Sequence, residues 1–72
     1  MTNCTNNTFN NLIVSETLGK AIVETGGSGN VFNGLSCREN GGGISLTGKN
    51  TINGYLKTDG TSVATITGAY SD

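Results

Sequence analysis

Apolar and β-branched side chains in this chain recur with a period nearer two than 3.6, most clearly in Phe9–Val14 and Val63–Thr67. The longest stretch without glycine, residues 1–18, is crowded with Asn and Thr and carries no helical stripe. This pattern predicts short strands of about four to six residues separated by Gly or Asn turns, and no helix.

The pattern also repeats. Starting at Asn7, Asn30 and Asn50, three segments read Asn-Thr-Phe-Asn-Asn-Leu, Asn-Val-Phe-Asn-Gly-Leu and Asn-Thr-Ile-Asn-Gly-Tyr. Each is followed by a variable arm and then by a second apolar stretch ending in Thr-Gly: Ile22 to Gly26, Ile44 to Gly48 and Val63 to Gly68. The starts lie 23 and 20 residues apart, which divides the chain into units 7–29, 30–49 and 50–72 after an N-terminal arm, 1–6. Phe9, Phe32 and Ile52 share one column and Leu12, Leu35 and Tyr55 another; these six are the candidate core. Asn7, Asn30 and Asn50 form a third column, and Asn10, Asn33 and Asn53 a fourth. The Asn-Asn or Asn-Gly pairs at 10–11, 33–34 and 53–54 suit positive φ and mark corners. Glu16, Glu39 and Asp59 also align, and three carboxylates in one column are expected at a wet corner, spread apart.

A unit of 20 to 23 residues with two or three short strands matches one coil of a parallel β-solenoid, in which equivalent residues stack about 4.8 Å apart. Asn suits such a column because its amide donates to one neighbour while its carbonyl oxygen accepts from the other. The expected fold is therefore all-β, a short three-coil solenoid or β-helix-like repeat. The alternatives are a small antiparallel sandwich or barrel, with the Asn-Gly pairs as hairpin turns, and disorder.

Composition sharpens this reading. Asn, Thr, Gly and Ser fill 39 of 72 positions, while Leu, Ile, Val and Phe fill 16, so cohesion must come largely from backbone and amide hydrogen bonds. With no His and two Cys, the commonest general base and a four-ligand zinc site are both missing, and no catalytic residue, metal or cofactor is expected. Four scattered cations, Lys20, Arg38, Lys49 and Lys57, are too few for a nucleic-acid binder, and no apolar run is long enough to span a membrane. The N-terminus lacks the basic and apolar regions of a secretory signal. Gly26-Gly27-Ser28-Gly29 and Gly41-Gly42-Gly43 read as turns, because neither is followed by the Lys-Ser/Thr pair of a phosphate loop. Asn3-Cys4-Thr5 and Asn6-Asn7-Thr8 match a glycosylation pattern that arises easily in so Asn- and Thr-rich a chain.

Cys4 and Cys37 allow an internal disulfide, an intersubunit disulfide between the arm of one chain and the middle unit of the next, or two free thiols. The final arm, Thr61 to Tyr70, is uncharged and β-prone, and no proline blunts an edge. Three units are near the minimum for a repeat protein and no capping segment is evident, so neighbouring subunits are expected to supply the cap.

The runs Phe9-Asn10-Asn11-Leu12-Ile13-Val14 and Asn50-Thr51-Ile52-Asn53-Gly54-Tyr55-Leu56, with Gly60-Thr61 beyond, resemble the Asn/Thr/Gly-rich repeats of viral and phage tail fibres. That resemblance implies strands wound as solenoids or intertwined trimeric β-helices. The chain is also similar to small subunits of bacterial surface or spore appendages, which join through Cys-bearing N-terminal arms and strand augmentation; it departs from them in length and in its single N-terminal Cys. The expected function is a self-assembling structural subunit of an extracellular fibre, on a cell or spore surface or a virion, with copies of itself as partner. The alternative is a small carbohydrate-binding module, with Tyr55 and Tyr70 stacking on a glycan.

Overall fold

The structure, a computed structural model, describes all 72 residues. It is all-β: β1 (Thr8–Asn10), β2 (Lys20–Glu24), β3 (Val31–Ser36), β4 (Gly42–Leu56) and β5 (Ser62–Ser71). Strand β1 pairs with β3 in parallel, Phe9 against Phe32 and Asn10 against Asn33. In turn β3 pairs with β4 in parallel, Phe32 against Ile52 and Leu35 against Tyr55. A second parallel row sets Ile22 of β2 against Ile44 of β4 and Glu24 against Leu46. An arrangement built only of antiparallel hairpins is therefore not what forms.

Two segments differ from the sequence reading. Residues 1–6, expected as an arm preceding the first unit, belong to that unit's layer: Thr2 bridges to Thr25 and Thr5 to Ser28 in parallel, so the first layer begins at the N-terminus. The reason is a matched set of corners. Asn3, Asn6 and Asn11 have φ of 53°, 56° and 56°, and Gly26, Gly29 and Gly34, the residues 23 positions on, have 75°, 72° and 73°. Asn is the side chain that tolerates this left-handed region best. Each Asn carboxamide oxygen lies where a Cβ on the matching glycine would be, at 2.3, 2.4 and 2.9 Å, so an Asn layer fits only over a Gly layer.

The other difference is β5. Val63 to Gly68 does not stack on Ile44 to Gly48 as a third copy of that arm. After the turn 57–61, β5 runs back antiparallel along β4, with Val63 opposite Tyr55, Ile66 opposite Ile52, Gly68 opposite Asn50 and Tyr70 opposite Leu46. The last segment therefore covers β4 with its own chain and leaves the far edge of β5 as the end of the stack, and Thr67 pairs with Thr51 instead of aligning with Thr25 and Thr47.

The core is a narrow file of Ile22, Phe32, Leu35, Cys37, Ile44, Leu46, Ile52 and Tyr55, against which Phe9, Leu12, Val14, Ala21, Val63, Ile66 and Tyr70 pack half-buried. Phe9 and Phe32 stack with centroids 4.9 Å apart. Only 13 residues are buried, yet the accessible surface of 3921 Å² is no larger than the roughly 4,200 Å² expected of a folded chain of this mass. Layering does the work that a thick core does elsewhere: close backbone approach requires glycine at 48, where a Cβ would lie 1.7 Å from the Gly27 carbonyl oxygen.

Candidate functional site

The most organised chemistry in the molecule is a chain of carboxamides. Asn30 Oδ1 accepts from both the backbone N–H and Nδ2 of Asn7, at 3.0 and 3.1 Å. Asn50 Oδ1 accepts from the same two groups of Asn30, at 3.1 and 2.9 Å. Asn50 Nδ2 then donates to Glu24 Oε1. Glu24 is fully buried and also accepts from the Gly48 N–H at 3.0 Å and, through Oε2, from the Gly27 N–H at 2.8 Å. These donors, the Gly27 N–H foremost, outweigh the desolvation that opposes ionisation and hold its carboxyl below the ordinary 4.5. The molecule is only 17 Å across at its thinnest, so a group that touches no solvent still lies near it.

The outer Asn column is exposed and donates the opposite way: Asn53 Nδ2 to Asn33 Oδ1 at 2.9 Å, and Asn33 Nδ2 to Asn10 Oδ1 at 3.0 Å. A third polar corner, absent from the sequence reading, centres on buried Asn40. Its Oδ1 accepts from the N–H and hydroxyl of Thr17, and its Nδ2 donates to the carbonyls of Val14 and Cys37. The 23-residue spacing from Thr17 to Asn40 was the available signal. Glu16 and Glu39 stack at an exposed corner with left-handed φ, joined by a backbone bond of 3.1 Å, while Asp59 turns away to accept from the Thr61 N–H.

At the β5 end the hub is Asp72. Its carboxylate accepts from the Ile44 N–H at 2.7 Å and from the hydroxyls of Tyr55 and Tyr70 at 3.1 and 3.2 Å, with Lys57 at 4.0 Å. Burial first, then the bond to this carboxylate, raises the Tyr55 hydroxyl far above its ordinary value; burial and the same charge raise Tyr70. Beside it lies an open dish of about 210 Å³ lined by Gly42, Gly43, Lys57, Thr58, Asp59 and Asp72. Tyr55 is 2% exposed and meets Tyr70 edge to face, so the pair offers no flat platform for a sugar ring.

Both cysteines are free thiols. Cys37 is fully enclosed, and burial, with the Asp72 charge, pushes its thiol up to about 11. An intersubunit bridge to Cys37 would need that pocket to open; Cys4, half-buried, is the accessible sulfur.

The remaining feature is a set of open edges, one of them along β2, which pairs only with β4 apart from backbone contacts of Met1 and Asn3 at Val23 and Thr25. The first layer pairs only with the layer beneath it, and β5 pairs only with β4. No family model, curated protein or solved structure matches this chain.

Proposed function

We propose that this chain is a structural building block: a short β-solenoid whose copies assemble edge to edge into an extracellular filament or fibre. The observation that carries this reading is the chemistry of the two edges. Residues 1–15 carry no charged side chain and residues 60–71 carry none either, and the chain has no proline. Proteins that remain single guard exposed strands with Lys, Pro or inward charges. Here the edge segments 8–14 and 62–70 instead border apolar side chains left half-covered, Phe9, Leu12 and Val14 at one end and Val63, Ile66 and Tyr70 at the other, with side-chain charge at the first end confined to the Glu16 corner and to Lys20 at the start of β2.

The compact surface and self-supplied β5 favour a preformed subunit over chains intertwined from the start. A cell or spore surface or a virion suits a protein whose cohesion rests on hydrogen bonds and whose contacts repeat. Covalent fixing, where it occurs, falls to Cys4. Electron microscopy of the purified chain, with sedimentation at rising concentration, tests the reading: filaments are expected, and a monodisperse monomer up to the solubility limit refutes it.

A further inference from the structure

The ladder geometry goes further and specifies which edges meet. The Thr51 N–H donates to the Asn30 carbonyl, so by the alternation of a ladder Thr51 and Asn53 turn their backbone groups toward β3, and Asn50 and Ile52 turn theirs toward β5. Their antiparallel partners are Gly68 and Ile66, which leaves Thr65 and Thr67 presenting N–H and C=O outward. Likewise the Cys37 N–H donates to the Leu56 carbonyl, so Leu56 faces β3 and its partner Ser62 faces out. At the opposite end the Asn7 carbonyl accepts from the Val31 N–H and the Asn11 N–H donates to the Asn33 carbonyl; Thr8 and Asn10 therefore face out. The Leu12 carbonyl accepts from the Ser36 N–H and the Val14 N–H donates to the Ser36 carbonyl, so Ile13 faces out.

We propose that the growth contact is head to tail: Thr8–Ile13 of one copy pairs antiparallel with Ser62–Thr67 of the next, Thr8 opposite Thr67, Asn10 opposite Thr65 and Ile13 opposite Ser62. This rests on the self-assembly reading above. In this one register three requirements coincide. The core columns continue, because Phe9 falls over Ile66 and Leu12 over Val63, the residues that already follow Ile52 and Tyr55. All three outward pairs are hydrogen-bonding pairs, because both members of each face the interface.

The contours match as well. Asn11, Gly34 and Gly54 share a left-handed corner, and β5 already pairs on both sides of it, with Ala64 lying between the Asn53–Thr65 and Tyr55–Val63 pairs. Two-fold self-pairing of the first layer about Phe9 would instead set the corner at Asn11 against the strand entry at Asn7. Two different surfaces meeting in this way repeat without closing, which gives a filament and not a dimer.

Cysteine pairs test the register. Thr8 and Thr67 are both exposed, and directly opposed residues of a hydrogen-bonded antiparallel pair have Cα atoms about 5.5 Å apart, within disulfide range. In a Cys4→Ser background, Thr8→Cys and Thr67→Cys chains mixed and oxidised are expected to give a linked heterodimer. The double variant should give a gel ladder in steps of 7.3 kDa, and each single variant alone no link. A dimer from Thr8→Cys alone overturns the proposal in favour of two-fold pairing. Filaments without a link between positions 8 and 67 overturn this register while self-assembly stands. Absence of both filaments and link overturns the two together.

Discussion

Replacing Glu24 by Gln keeps the shape of the side chain and removes only its charge and one acceptor oxygen. Oε1 accepts from Asn50 and the Gly48 N–H, and Oε2 from the Gly27 N–H. Whichever way the new amide turns, its NH₂ faces a donor, so at least one charge-assisted bond is lost and a buried donor is left without a partner. The first loss is about 1.5–3 kcal/mol and the second about 1–3. Because the side chain can shift, a net destabilisation of about 2–4 kcal/mol at pH 7 is expected, set against a total stability of about 4–11 kcal/mol for a domain of this size. The pH dependence gives an independent check. The folded carboxyl titrates below the ordinary 4.5, so the unfolded chain takes up the proton first as pH falls. Stability from ionised Glu24 is fully present above about 4.5 and is lost as pH falls through the folded value. Urea unfolding at pH 7 and pH 3 should therefore show the gap between wild type and Glu24→Gln narrowing on acidification. A variant within about 0.5 kcal/mol of wild type at pH 7, the range of inconsequential surface changes, would refute the role assigned to this carboxylate.

Two further outcomes follow from the same geometry. Gly48→Ala places a Cβ 1.7 Å from the Gly27 carbonyl oxygen, whereas Gly19→Ala meets nothing within 4 Å. Thermal melting should show the first losing about 3 kcal/mol or more, the upper end of overpacking costs, and the second almost nothing; equal melting temperatures would contradict the close layer contact. Alkylation of the native protein at pH 8 should modify Cys4 alone, since a thiol pushed up to about 11 is only about one part in a thousand thiolate there and Cys37 is also enclosed. Mass spectrometry should find one adduct under native conditions and two in urea, and rapid native labelling of Cys37 would show that its pocket opens.

What the sequence made legible was whatever repeats with side-chain identity. Phe9, Phe32 and Ile52, and the Asn triplets beside them, share columns because like residues are the ones that gain from stacking. Harder to see were columns in which different residues meet one backbone requirement. Thr2-Asn3-Cys4-Thr5-Asn6 and Thr25-Gly26-Gly27-Ser28-Gly29 lie 23 residues apart, yet Asn and Gly look unlike unless read as the two residues that accept a left-handed corner. Val63 to Gly68 misled in the opposite way. Its alternation resembles Ile44 to Gly48, but alternation has no direction, and the short turn 57–61 makes the antiparallel return available. Glu24 and Asp72 gave no pattern at all, because each occurs once and each acts as the end of something.

That last property bears on how the stack terminates. In a file of carboxamides each member donates one way and accepts the other, so any finite ladder ends with a spare donor at one end and a spare acceptor at the other. Along the inner column donation runs from Asn7 through Asn30 to Asn50, and the spare donor meets a carboxylate, a group that can only accept. A further Asn beyond Asn50 would find that donor already taken, and the next position in the column is Gly68, which has no side chain to offer. At the other end Asn7 uses its N–H groups on Asn30 and Thr5, and its Oδ1 accepts nothing. The polar ladder is thus finished toward β5 and unfinished toward the N-terminus. In the proposed register Asn7 falls opposite Gly68, which leaves that acceptor unmet, so the contact between copies rests on backbone bonds and on Phe9 over Ile66 instead of on a continued inner ladder. Because each proposed head-to-tail contact joins one first-layer edge to one β5 edge, the same bonds form whichever end a copy joins, so the two ends of a filament are expected to share one subunit affinity.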